Sequence, residues 1–258
     1  MEHGKEWALS DARRMQASRC DGQAGASLLE VLIALTISGL VFSSACETWA
    51  RFGERFRVQH NMTGLRQESR IGVDVLGSEL RLAGTGGAPG QPAFLKIDPT
   101  EIWFRANLSG LQTIVKETAQ SGQQDVTVEA GTGWPQGKQI LLCSIERCTS
   151  NELARNGRSG SLTLVIPLSV VLPAGSAIFV SNRVRYYVGR DSHGMPRVMR
   201  DVDGGASTLI SGISDFRLDY FNRSGLPTTD PALVARVRIS ARLQGSGDAV
   251  IQEVAIRL

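Results

Sequence analysis

The chain has few of the residues from which catalytic sites are commonly built. Its three histidines are His3, His60 and His193, and no Gly-x-Ser-x-Gly or His-Glu-x-x-His pattern occurs. Neither a serine-hydrolase elbow nor a zinc-peptidase helix is therefore encoded in recognisable form. Charge of either sign is not in surplus: 28 basic side chains stand against 25 acidic ones. A net charge of +3 gives no argument for a nucleic-acid or anionic-lipid partner. Aromatics make up 6% of the 258 residues and hydrophobic residues 42%, which leaves room for one sizeable domain or two small ones.

Cysteine is also scarce. Cys20 and Cys46 flank an apolar run, whereas Cys143 and Cys148 share the candidate soluble region. No further Cys or His stands nearby at zinc-ligand spacing, so no metal is expected. In an oxidising compartment Cys143 and Cys148 would close a short disulfide loop, with two free thiols as the alternative. Asp201-Val202-Asp203-Gly204 matches half a calcium loop, but the remaining ligands are missing, and an Asp-Gly hairpin turn accounts for it. No cofactor is implied. The glycine cluster of residues 84–90 does not make a dinucleotide fingerprint, because Pro89 takes the last glycine position and a helix, not a strand, precedes it.

What the sequence has in abundance is one apolar stretch. In GASLLEVLIALTISGLVFSSAC, residues 25–46, Glu30 is the only charged residue, and sixteen uncharged residues follow it. A helix crossing a bilayer needs about 20 mostly apolar residues, so this length suffices if Glu30 sits near one end. There the helix dipole favours a carboxylate. A charge at mid-membrane costs about 2.5–3.5 kcal/mol on insertion scales, which makes Glu30 a functional candidate in need of a partner. Residues 1–25 are polar and carry four basic and four acidic side chains. The small-residue site Gln23-Ala24-Gly25 precedes the apolar stretch, the reverse of a secretory signal.

A polar leader ending in Gly25, then Ala26, then Glu30 followed by Val31-Leu32-Ile33-Ala34-Leu35 resembles a type IV prepilin. The commonest family pattern has Phe where Ala26 stands and a basic residue just before the glycine. The resemblance implies cleavage between Gly25 and Ala26 by a prepilin peptidase, which N-methylates Ala26. It also implies an assembly salt bridge from Glu30 to the amino terminus of a neighbouring subunit. Gln67-Glu68-Ser69-Arg70 to Leu80-Arg81-Leu82-Ala83-Gly84, Val184-Arg185-Tyr186-Tyr187-Val188, Val198-Met199-Arg200 and Leu209 to Phe216 resemble PilW-type minor pilins. Such a subunit would have no catalytic residues. It would take part in initiating a type IV pilus near its tip, with an inner-membrane anchor and a periplasmic head. Its partners would be other minor and major pilins, the prepilin peptidase/methyltransferase and the inner-membrane assembly platform, and no nucleic-acid partner is indicated. The alternatives are a J-type minor pseudopilin of type II secretion and a signal-anchored periplasmic enzyme or binding protein.

The expected fold is α+β: a long N-terminal helix, transmembrane in its first half, packed on a mainly antiparallel β-rich head. Residues 1–25 are read as leader, 26–84 as helix, 85–93 as connector and 94–258 as head. After residue 47 the helix shows a face of Leu65, Ser69, Val73, Leu76, Leu80 and Ala83. Gly39, Gly53, Gly64, Gly72 and Gly77 predict bends or partial melting. The arginines at 51, 55, 57, 66 and 70 read as a solvated face. Strands are expected at 101–106, 111–117, 125–129, 139–145, 162–171 and 177–188. Alternation also marks Phe216, Leu218 and Tyr220, and Val237, Ile239, Ala241 and Leu243. A last strand carries Val254, Ile256 and Leu258, forming a hairpin with its predecessor.

Overall fold

The computed structural model describes residues 27–245 and 249–256. Gly25 and Ala26, Cys20 and the leader lie outside the described residues. One helix, α1 (Leu28–Leu80), opens the chain, and the boundary between two compact units falls within it, at Val58/Gln59.

The second unit contains the rest of α1 and all the strands. In order these are β1 (Phe94–Asp98), β2 (Glu101–Ala106), β3 (Gln112–Ile114), β4 (Asp125–Thr127), β5 (Gln139–Cys143), β6 (Cys148–Glu152) and β7 (Ser161–Thr163). There follow β8 (Ala177–Val180), β9 (Asn182–Arg190), β10 (Pro196–Val202), β11 (Gly205–Ile210), β12 (Ile213–Phe221), β13 (Arg236–Leu243) and β14 (Ala249–Ala255). Among the described residues they make sheets of order β1-β2-β9-β10-β11, β12-β13-β14, β3-β8-β5-β6 and β4-β7. All the strand pairings are antiparallel.

Two cores follow from this topology. In the first, Val73, Leu76 and Leu80 of α1 pack with Phe94, Phe104, Tyr186, Ile210, Phe216, Leu218, Val237 and Ile239. Burying an aliphatic side chain of this kind stabilises by about 1.5–3 kcal/mol, so this face fixes the helix to the sheets. The expected face is borne out from Ser69 onward, with Ser69, Val73, Leu76, Leu80 and Ala83 buried, while Leu65 is half-buried against the same core. The second core, with Val126, Trp134, Ile140, Leu142, Leu162 and Ile178, is an excursion between the paired strands β2 and β9, which meet as Ala106 opposite Asn182.

Three expectations change. First, α1 is unbroken through all five glycines. Gly72 and Gly77 instead allow close approach: an added Cβ would stand 2.3 Å from Cγ1 of Ile210 and 2.5 Å from Oε1 of Gln252, respectively. Second, the strand expected at 162–171 ends at Thr163. Pro167 cannot donate to a ladder, and the amides around it find irregular partners: Val165 donates to the Glu152 carbonyl, Ile166 to Asn151 Oδ1 and Leu168 to the Gln123 carbonyl. Third, the stretch 177–188 is two strands, β8 and β9, divided at Ser181, whose hydroxyl donates to the Gly86 carbonyl at 2.5 Å.

The expected turn at 201–204 forms. Asp203 has φ 55° and Gly204 φ 92°, the left-handed pair that a two-residue hairpin turn requires. The helix gives way to turns after Leu80, and Gly84 donates to the Arg105 carbonyl at 2.8 Å.

Candidate functional site

The first unit is helical from Leu28, and its start is set by Ser27. The Glu30 amide lies 2.9 Å from the Ser27 carbonyl and 3.3 Å from its hydroxyl oxygen. Ser27 therefore caps the helix, satisfying one of the amides that lack a partner within the first turn. The Ser-x-x-Glu spacing of a capping box was legible in the sequence. Glu30 stands at the third helical position, exposed and in the first turn, where the helix dipole favours a carboxylate. Among the described residues no cation pairs with it.

Beyond Glu30 the helix is long and apolar enough to cross a membrane, and none of its most apolar window is buried. Leu28, Leu29, Leu35, Leu40 and Phe42 are each more than 60% exposed, a surface that water would not tolerate without a cover. Three hydroxyls on this part of the helix are internally satisfied: Thr36 donates to the Ile33 carbonyl at 2.8 Å, Ser44 to Val41 at 2.9 Å and Thr48 to Ser44 at 2.8 Å. Such back-bonding lets small polar residues enter an apolar medium. The uncharged run gives way to Glu47, which pairs with Arg51 at 2.5 Å. Trp49 is 82% exposed, and its position suits the aromatic belt of a membrane interface.

Within the second unit, Cys143 and Cys148 form a disulfide with Cα atoms 4.0 Å apart. They are cross-strand partners at the end of the β5–β6 pair. The loop they close displays Ile145 fully to solvent, beside a cleft of about 940 Å³ lined also by Val170, Val171 and Pro173. Cys46 is a free, exposed thiol on the helix.

Two polar clusters were not anticipated from sequence. Glu79 of α1 accepts from the Tyr186 hydroxyl at 2.5 Å and from Arg200 Nε and Nη2 at 3.0 and 2.5 Å. Burial pushes the Tyr186 hydroxyl pKa well up, and Glu79 adds to the shift. On the opposite face of the sheet, Glu101 accepts from Lys96, from the Trp103 indole at 2.8 Å and from Arg185 Nε at 2.6 Å. The Arg185 guanidinium lies 4.9 Å from the Trp103 ring centroid and 4.0 Å from that of Tyr187. Alternation along Val184, Tyr186 and Val188 was the available signal that Tyr186 and Arg185 face opposite ways.

Among the described residues no group of three or more His, Cys, Asp or Glu is placed to hold a metal ion. The carboxylates of Asp201 and Asp203 are occupied internally, by the Gly204 amide and by Asn182 and the Arg183 amide. No protein-family model matches the chain, and no curated protein matches it.

Proposed function

We propose that the chain is a pilin-like filament subunit, a minor pilin that takes part in initiating and assembling a type IV pilus near its tip. The observation that carries this reading is Glu30, the single charge at the head of an exposed run that stays uncharged as far as Cys46, in a helix that continues to Leu80. A simple tether does not need an ionised carboxylate at that position, because Ser27 already caps the helix and the charge costs free energy in hydrocarbon. A filament subunit does gain, because the carboxylate can attract the amino terminus of a neighbour that begins at Ala26 after cleavage behind Gly25. Pairing neutralises both charges where water is scarce and sets the axial register of the two helices.

The rest of the chain supports the same reading. The second half of α1 carries a buried face against the β-rich head, so a pull on the helix is transmitted to a folded domain. In this account the head is periplasmic, where the Cys143–Cys148 disulfide is stable. The work is assembly, driven by partner proteins of the inner-membrane platform.

The test compares Glu30→Ala and Glu30→Gln with the wild type for incorporation into sheared filaments, with leader cleavage monitored separately. Both variants should be cleaved and inserted but depleted from filaments. Incorporation equal to wild type contradicts the charge pairing.

A further inference from the structure

Arg105 of β2 and Arg183 of β9 stand directly opposite one another in the antiparallel ladder. Like charges at such a position destabilise a sheet unless something neutralises them. Of the neighbouring carboxylates, Glu101 and Asp203 are already ion-paired, and Glu152 accepts from the Gln139 amide at 2.9 Å. Glu101 is taken by Lys96 and Arg185, and Asp203 by Lys138, Asn182 and the Arg183 backbone amide. Neither the Arg105 nor the Arg183 guanidinium has an ion-pair partner among the described residues; that of Arg183 lies 5.9 Å from the Trp103 ring centroid. Both arginines line a cleft of about 490 Å³ together with Gln139, Ser150, Glu152 and Asp203.

We propose that this cleft docks an extended peptide segment of another protein chain, with one acidic side chain of that segment seated between Arg105 and Arg183. Two adjacent guanidinium forks match the two oxygens of a carboxylate. The cleft also sets a limit on how much negative charge it takes, because Glu152 and Asp203 lie in the same lining. A polyanion with a charge at every unit, such as a nucleic acid, would meet both carboxylates. A peptide places an isolated carboxylate among neutral amides, for which the Ser150 hydroxyl and the Gln139 amide oxygen offer polar partners, the Gln139 amide nitrogen being held by Glu152. The site does not depend on the filament reading, since it belongs wholly to the head.

The test immobilises the full chain in detergent and selects a random-peptide display library on it, in parallel with Arg105→Gln and Arg183→Gln. Wild type should enrich peptides that share an Asp or Glu at one position. The synthetic consensus should bind each variant about tenfold or more weakly by fluorescence anisotropy, and its Glu→Gln or Asp→Asn form should lose affinity similarly. Both variants should melt at or above the wild-type temperature, because each removes a like-charge repulsion; a loss of binding that came from misfolding would lower it. No enrichment, enrichment without an acidic position, or equal binding by the variants overturns the proposal. So does an oligothymidylate that binds through the same arginines more tightly than the peptide.

Discussion

The Tyr186 hydroxyl donates to Oε2 of Glu79 at 2.5 Å, joining β9 to α1 inside the first core, and Arg200 holds the same carboxylate from β10. Glu79 is thereby satisfied from two strands at once. Removing the carboxylate leaves a buried tyrosine hydroxyl and a half-buried guanidinium without their acceptor. Glu79→Ala should destabilise the head by about 3 kcal/mol, and Tyr186→Phe by about 1–2 kcal/mol, in urea unfolding of the intact chain. Equal stability in both variants would mean that the helix is held by its apolar face alone.

The helix glycines separate into two kinds. Gly72→Ala forces a methyl into Ile210, and should cost about 1–3 kcal/mol, whereas Gly77→Ala meets the movable end of Gln252 and should cost less. Gly39, Gly53 and Gly64 have open space around an added Cβ, so alanine there should be neutral or should strengthen the helix by up to about 1 kcal/mol. Thermal melting and helical circular dichroism of the five single variants check the ordering.

These glycines show where sequence reasoning ran out. Their low helix propensity predicted bends, but propensity is local, and the residues that close over Gly72 and Gly77 come from Ile210 and Gln252, far along the chain. The buried face of Ser69, Val73, Leu76, Leu80 and Ala83 was legible because a 3.6-residue period is written locally. So were β2, β13 and the part of β12 from Asp215 onward, whose burial alternates residue by residue. The division into two cores was not legible, since it depends on β2 pairing with β9 across the whole intervening excursion. Glu30 could be picked out because it is one charge in an apolar run. The Glu79 and Arg105 clusters could not, because each needs strands that are remote in sequence.

Glu101 provides a pH signature. Burial alone would raise its pKa, but Lys96, Trp103 and Arg185 together lower it from 4.5 to about 2. The folded value is below the unfolded one, so its stabilising contribution is complete above pH 4.5 and is lost as pH falls through about 2. Glu101→Gln should therefore be less stable than wild type at neutral pH, with the gap closing across that acid window. A gap independent of pH would show that Glu101 acts through packing.

The disulfide closes a loop with a sequence separation of 5. On loop-closure entropy a ring this short contributes about 2 kcal/mol. Replacing Cys143 and Cys148 by serine should lower stability by that order, and alkylation of the unreduced protein should leave both residues unlabelled. Labelling of both without prior reduction would contradict the bond.

The most direct measurement of the filament account is the intact mass and amino-terminal sequence of the chain recovered from membranes or sheared filaments. The account predicts a chain beginning at N-methylated Ala26, with Glu30 at its fifth position. A terminus at Met1 or Met15, with the polar leader still attached, would contradict it.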